Sequence, residues 1–193
     1  MTLLPSRLAG PLALAILLAG CSTGPDPAVD TAALETEARY ITQRFVGTLL
    51  PTLQQALQNG GPVNAIEVCA VQAPLIAQSL SEQSGWSVRR VSLKTRNTAN
   101  ATPDAFERQI LRSFDSRQTA GEAGATLSHG EVRSGEYRFM QAQPAMPLCL
   151  TCHGDNLAPE VSSALARLYP GDSATGYQQG QIRGAISLRR ALD

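Results

Sequence analysis

Trp86-Ser87-Val88-Arg89-Arg90-Val91-Ser92-Leu93 is where this chain changes character. Up to this point apolar residues recur with helical spacing, whereas here aromatic and β-branched residues crowd together as they do in strands. Trp86, Val88 and Arg90 fall on one face of such a strand and Val91 and Leu93 on the other, so the alternation is broken. Upstream, Asp30 is a helix N-cap, and Leu34, Ala38, Ile41 and Phe45 follow at spacings of four, three and four. They predict an amphipathic helix running toward Pro51. Asn59-Gly60-Gly61-Pro62 interrupts it. A second helix then carries Ile66, Cys69, Ala73, Ile76 and Leu80 on one face and closes at Gly85. Pro74 lies inside this segment and removes the bond to the Ala70 carbonyl, which predicts a kink.

Downstream, Thr102-Pro103-Asp104 starts a helix with Phe106, Ile110 and Phe114 as its buried edge. Between 125 and 141 two short strands meet at Ser134-Gly135, with Tyr137 and Phe139 on one face and Met140 on the other. A short helix over 159–168 and a last strand over 185–188 complete the order. Helices first and short strands afterwards predict an α+β fold, an antiparallel sheet with flanking helices and a long N-terminal helix.

The chemistry concentrates in Cys149-Leu150-Thr151-Cys152-His153. Two cysteines three positions apart, followed at once by histidine, match the attachment sequence of a c-type haem. Each thiol adds across one vinyl group, and the adjacent imidazole is held under the iron as an axial ligand. The cofactor implied is one covalently bound haem c. That chemistry needs a suitable compartment, and the N-terminus points to one. Residues 1–20 carry a single charge, Arg7, and an apolar core from Leu8 to Leu18, too short to span a bilayer comfortably. The segment ends Leu18-Ala19-Gly20-Cys21, which resembles the lipobox of bacterial lipoproteins. By that resemblance Cys21 becomes the acylated first residue, 21–29 a flexible tether, and 30–193 a single haem domain facing the periplasm from a membrane. Ser22 rather than an acid favours the outer membrane of a Gram-negative cell.

Without the first 20 residues the chain has 173, with 15 basic and 16 acidic side chains. This is enough for one domain with a modest core. Nothing in the charge pattern points to nucleic acid, and no second apolar stretch reads as a membrane span. Lys94 is the only lysine, which argues against docking through a lysine-rich face. With Cys21 assigned to lipid and Cys149 and Cys152 to haem, Cys69 is left over in an oxidising compartment. Either it is buried and inert or something binds it.

Ala65-Ile66-Glu67-Val68-Cys69, residues 86–100 (WSVRRVSLKTRNTAN), residues 149–154, Tyr169-Pro170-x-Asp172-x-Ala174-x-Gly176-Tyr177 and Arg183-Gly184-Ala185-Ile186-Ser187 resemble a family of single-haem c-type proteins. Its domain was long catalogued as one of unknown function. The resemblance covers most of the chain from the first helix onward. It implies a PAS-like fold and iron held by the motif histidine and a cysteine thiolate. Carried onto this sequence, His153 is the proximal ligand and Cys69 the distal one. Arg96 and Arg183 lie in the resembling segments and suit the haem propionates, because a guanidinium pairs with a carboxylate in two places. Their alternative is an ordinary surface role or pairing with Asp172 and Glu107.

Met140, Met146 and His129 are the other residues able to reach an iron, the first two more simply packing residues and the third a solvated one. The function expected is low-potential one-electron transfer or redox sensing through a separate protein partner, since no transmitter follows the domain. A gas sensor or peroxidase would need an open iron position, and a peroxidase also a distal acid–base residue, for which only His129 offers itself. A thiol–disulfide oxidoreductase would need Cys149 and Cys152 at a helix start in a βαβ setting, and Pro147 and Gly154 flank the pair closely. A zinc site from Cys149, Cys152 and His153 packs three ligands into five residues, a poor tetrahedron.

Overall fold

Asp30 caps the first helix as expected, its side chain accepting from the Ala33 N–H at 3.0 Å. The structure, a computed structural model, describes residues 29–192; the signal segment, Cys21 and the tether to residue 28 lie outside the described residues. Helix α1 (Thr31–Ser84) is one helical run broken at Gly60 (φ −162°, ψ 19°) and Gly61 (φ 69°, ψ −167°). Gly61 adopts a positive φ that a side chain would strain, and Pro62 then opens the second arm. Asn64 Nδ2 donates to the Ala56 carbonyl at 2.8 Å and clasps the break. The arms run back along one another: Arg44 Nη2 donates to Gln83 Oε1 at 2.8 Å, and Leu80 packs with Ile41 and Phe45. Gly85 (φ 74°) closes the second arm by donating to the Ser81 carbonyl at 3.0 Å.

The expected stop at Pro51 is corrected. The first arm continues through Pro51, and the dihedrals around Pro74 stay helical. Each proline is flanked by buried anchors on its own arm, Phe45 and Ala56 around Pro51, Ile66 and Leu80 around Pro74. Tertiary packing therefore outweighs the lost hydrogen bond. By length and composition α1 would also pass as a membrane span, with an 18-residue window of mean hydropathy 1.2. Its doubling back and its packing on the sheet make it a core hairpin instead.

The sheet comprises β1 (Ser87–Val91), β2 (Ser128–Arg133), β3 (Glu136–Pro144) and β4 (Ile182–Ala191), ordered β1-β4-β3-β2 and antiparallel throughout. Ser134 (φ 52°) and Gly135 (φ 77°) form the tight β2–β3 turn at the expected place. Helices α2 (Thr98–Ala101), α3 (Ala105–Thr119), α4 (Pro147–His153) and α5 (Pro159–Leu168) flank it. The architecture is the expected α+β one.

The broken alternation around Trp86 has a simple cause: both faces of the sheet are covered. Trp86, Val88, Tyr137, Phe139, Ile186 and Leu188 face α1, whereas Val91, Met140, Ala142 and Ala185 face α3 with Phe106, Ile110, Leu111 and Phe114. Burying a side chain such as Phe139 or Leu188 contributes roughly 1.5–3 kcal/mol. Leu93 departs from the expectation: β1 ends at Val91, and Leu93 is exposed. Helix α3 carries a full capping box, the Asp104 carboxylate accepting from the Glu107 N–H and the Glu107 carboxylate from the Asp104 N–H, each at 2.8 Å.

Candidate functional site

Between the two arms of α1, β1, α2, α4 and the start of β4 lies a cavity of about 560 Å³, within the range of cofactor sites. Its apolar walls come from the arms, with Leu49, Leu53, Ile66 and Ala73 among the lining residues. Its polar groups converge from three directions: Cys69 from the second arm, Arg90 and Arg96 from β1 and the segment after it, and Cys149, Cys152, His153 and Arg183 from α4 and β4. The structure thus brings all six described site residues of the sequence reading to one cavity.

Helix α4 presents the pentapeptide. Pro147 opens it and the Gly154 N–H ends it on the Leu150 carbonyl at 2.9 Å. The helix went unexpected, although proline at its first position and glycine just after its end are the ordinary signals. Cys149 and Cys152, three apart, share a helix face. Cys149 packs toward Ala145, Ala174 and Tyr177, and Cys152 toward Ile66, Val161, Ala164 and Leu165. Cys69, Cys149 and Cys152 are free thiols. Burial pushes the Cys69 thiol up, with Arg90 and Arg96 opposing it. Burial also pushes the Cys152 thiol up, the opposite of an activated redox thiolate. Only Cys149 lies in the first turn of α4, with Cys152 next to its end, and the antiparallel sheet gives no βαβ setting. Among the described residues no three His, Cys, Asp or Glu side chains converge to hold a bare metal ion.

His153 ends α4 and is locked from behind. Its Nδ1 lies 2.7 Å from the Ala174 carbonyl oxygen. Arg183 Nε lies 3.0 Å from Nδ1 and 3.4 Å from Nε2. Nδ1 cannot both donate to a carbonyl and accept from a guanidinium. The carbonyl can only accept and is closer, so the proton is assigned to Nδ1 and the Arg183 approach is a charge contact. Nε2 keeps its lone pair and meets only long contacts of 3.4 Å from Arg96 Nη1 and Arg183 Nε. Burial, then the fields of Arg183 and Arg96, hold the imidazole well below its usual pKa and therefore neutral. A neutral imidazole whose far nitrogen is tied to a carbonyl is the usual state of a metal-ligating histidine.

Arg96 organises this corner. Its Nε donates to Asp172 Oδ2 at 3.0 Å and its Nη2 to the Cys152 carbonyl at 2.5 Å, with the Ala174 carbonyl at 3.3 Å. Asp172 Oδ1 in turn accepts from the Ala174 N–H at 2.8 Å. Arg96 is therefore largely committed to Asp172, the pairing named as its alternative. Arg183 has no carboxylate partner: Nη1 donates to Ser92 Oγ at 3.1 Å, and burial, then the field of Arg90, draws its pKa down to about 10. Arg90, which the sequence reading did not single out, makes no hydrogen bond or ion pair among the described residues, and burial lowers its pKa too. Its signal was available, a charge in phase with Trp86 and Val88 on the apolar face of β1. Two half-buried guanidiniums without a carboxylate partner suit an anionic ligand.

The other iron-reaching residues sort by position. Met140 is fully buried on the α3 face of the sheet, away from the cavity. His129, on β2, pairs with Glu131 at 3.0 Å and does not line the cavity. Met146 does line it, just before α4.

A family model described as Tll0287-like, Tll0287, matches residues 28–190. The chain belongs to the Tll0287-like family. Among solved structures, the crystal structure of the cyanobacterial heme-protein Tll0287 matches with 24% identity and a TM-score of 0.61, over 83% of this chain and 93% of that one. At that identity the likeness shows a shared fold. No curated protein matches the chain. The span matched by the Tll0287-like model takes in the whole cavity and begins after Cys21.

Proposed function

We propose that this chain binds one c-type haem covalently through Cys149 and Cys152, with His153 and Cys69 as axial ligands. Its work is then low-potential one-electron exchange or redox sensing on the PAS-like scaffold that the resemblance implies. The observation that carries the reading is His153: neutral, tied through Nδ1 to Ala174, with Nε2 in only long 3.4 Å contacts and turned to a cavity that three thiols and two guanidiniums without carboxylate partners also line. The solved structure titled a cyanobacterial heme-protein, which shares the fold, supports it. When bound, haem supplies a reversible one-electron couple, and a thiolate ligand lowers its potential.

The chain's own residues do the rest. Helix α4 presents two thiols on one face and fixes the imidazole behind them, and the arms of α1 exclude water. Arg183 has donors to spare for a propionate, and Arg96 chiefly holds the Cys152 and Ala174 carbonyls in place. The lipobox reading completes the proposal with an acylated Cys21, a periplasm-facing membrane anchor and a separate redox or signalling partner protein.

The test is expression in a host that attaches haem c, followed by mass spectrometry, visible absorption and low-temperature EPR. The expected result is one covalent haem, lost in the Cys149→Ser/Cys152→Ser variant, and a low-spin ferric signal with thiolate character that Cys69→Ser abolishes. Covalent haem retained without both cysteines overturns the attachment. A high-spin or readily ligand-binding iron in the parent favours gas sensing or peroxidase chemistry.

A further inference from the structure

We propose that Arg90 is the counter-charge on the thiolate side of this site, a positioning residue that eases one-electron reduction. The assignment rests on the haem reading above. Strand alternation places Arg90 with Trp86 and Val88 on the α1 side of β1, the side on which Cys69 lines the cavity. Its neighbour Arg89 falls on the opposite face of β1 and has partners there, donating through Nη2 to the Thr102 carbonyl at 2.5 Å and facing Glu107 Oε1 at 3.8 Å, although its Nε stays without a hydrogen bond. Arg90 has no such partner. The charges that act on it most are Cys69 and then Cys149, followed by Arg96 and Tyr169.

Arg90 and Cys69 are each the strongest charge acting on the other, so in the haem reading the Cys69 sulfur is the anion that Arg90 would offset. One electron from an external one-electron donor gives a thiolate-ligated ferric haem one extra negative charge. A fixed cation beside the thiolate stabilises that reduced state relative to the oxidised one.

The experiment compares the haem-loaded full chain with Arg90→Gln, Arg90→Lys and Arg89→Gln by spectroelectrochemical titration, with mass spectrometry and EPR on each. Arg90→Gln is expected to shift the equilibrium about tenfold toward the oxidised form, a potential lower by about 59 mV. Arg90→Lys restores most of the shift and Arg89→Gln moves nothing. A parent with covalent haem and a thiolate signal, but an Arg90→Gln potential equal to it, overturns this assignment alone. So does an Arg89→Gln shift as large as that of Arg90→Gln. If Arg90→Gln retains no haem, the decision passes to Arg90→Lys, whose potential must match the parent's within threefold in the equilibrium; a larger departure overturns the assignment. A parent without haem or without the thiolate signal overturns the haem reading and this assignment together.

Discussion

Replacing Asp172 by alanine removes the partner of a cation that has nowhere else to go. The Arg96–Asp172 contact is 3.0 Å, and the two side chains are only 12% and 8% exposed. Breaking a buried pair from one side costs about 3–5 kcal/mol, because the remaining charge stays desolvated. Here Arg96 keeps the Cys152 and Ala174 carbonyls, which reduces the loss. The Ala174 N–H, however, also loses its acceptor, the Asp172 Oδ1 at 2.8 Å. A net cost of roughly 2–4 kcal/mol follows. The exposed Glu67–Arg167 pair, at 2.8 Å with side chains 50% and 62% exposed, contributes under about 1 kcal/mol by comparison. Urea unfolding followed by the fluorescence of Trp86, the only tryptophan and fully buried, measures both. Adding Arg96→Leu to Asp172→Ala removes the stranded charge, so the double variant is expected to lose about 1–3 kcal/mol less than the two single losses together. An Asp172→Ala cost below about 1 kcal/mol, or strict additivity, refutes the account of this corner as a desolvated pair.

Gly184 (φ 158°) sits between Arg183 and Ala185, and a Cβ there would meet the Val91 carbonyl oxygen of the paired strand at 2.4 Å. Gly184→Ala is expected to cost about 2–4 kcal/mol in the same unfolding assay; a loss under about 0.5 kcal/mol would show that β1 and β4 can part there freely. Asp104 gives a pH signature. Burial pushes its carboxyl up, but the Glu107 N–H and the Arg138 guanidinium outweigh that and hold it below the ordinary value. Its contribution is therefore present above the unfolded value near pH 4 and is lost as pH falls through the folded one. Asp104→Ala should accordingly narrow its stability gap to the parent between pH 7 and pH 2, and a constant gap contradicts the pairing.

Much of this was legible in the chain. Asp30, Gly85, Asp104 and the Ser134-Gly135 turn are local signals whose chemistry needs no tertiary partner, and each sits where it was read. The pentapeptide was equally plain, and the leftover Cys69 did come to the same cavity. Pro51 misled because a local breaker was weighed without the buried residues that hold the arm on both sides of it. Arg90 escaped because the broken alternation around Trp86 looked like noise. A strand covered on both faces shows apolar residues in both phases, and a charge among them can then mark a cavity. The Ala174 carbonyl behind His153 left no mark at all, since backbone acceptors carry no residue signature.

The strand order also sets a sequence of events in time. β4, the last strand along the chain, lies between β1 and β3, so the first strand has no neighbour until the last has been made. Such late, non-local pairing is slow to form. The pentapeptide of α4 precedes β4 in the chain, so it is made and reachable while the sheet is still open. Arrival of β4 then completes the sheet, brings Arg183 beside the imidazole and closes the cavity floor. A ligand that enters from the side of β4 therefore meets an open site only before that last strand docks.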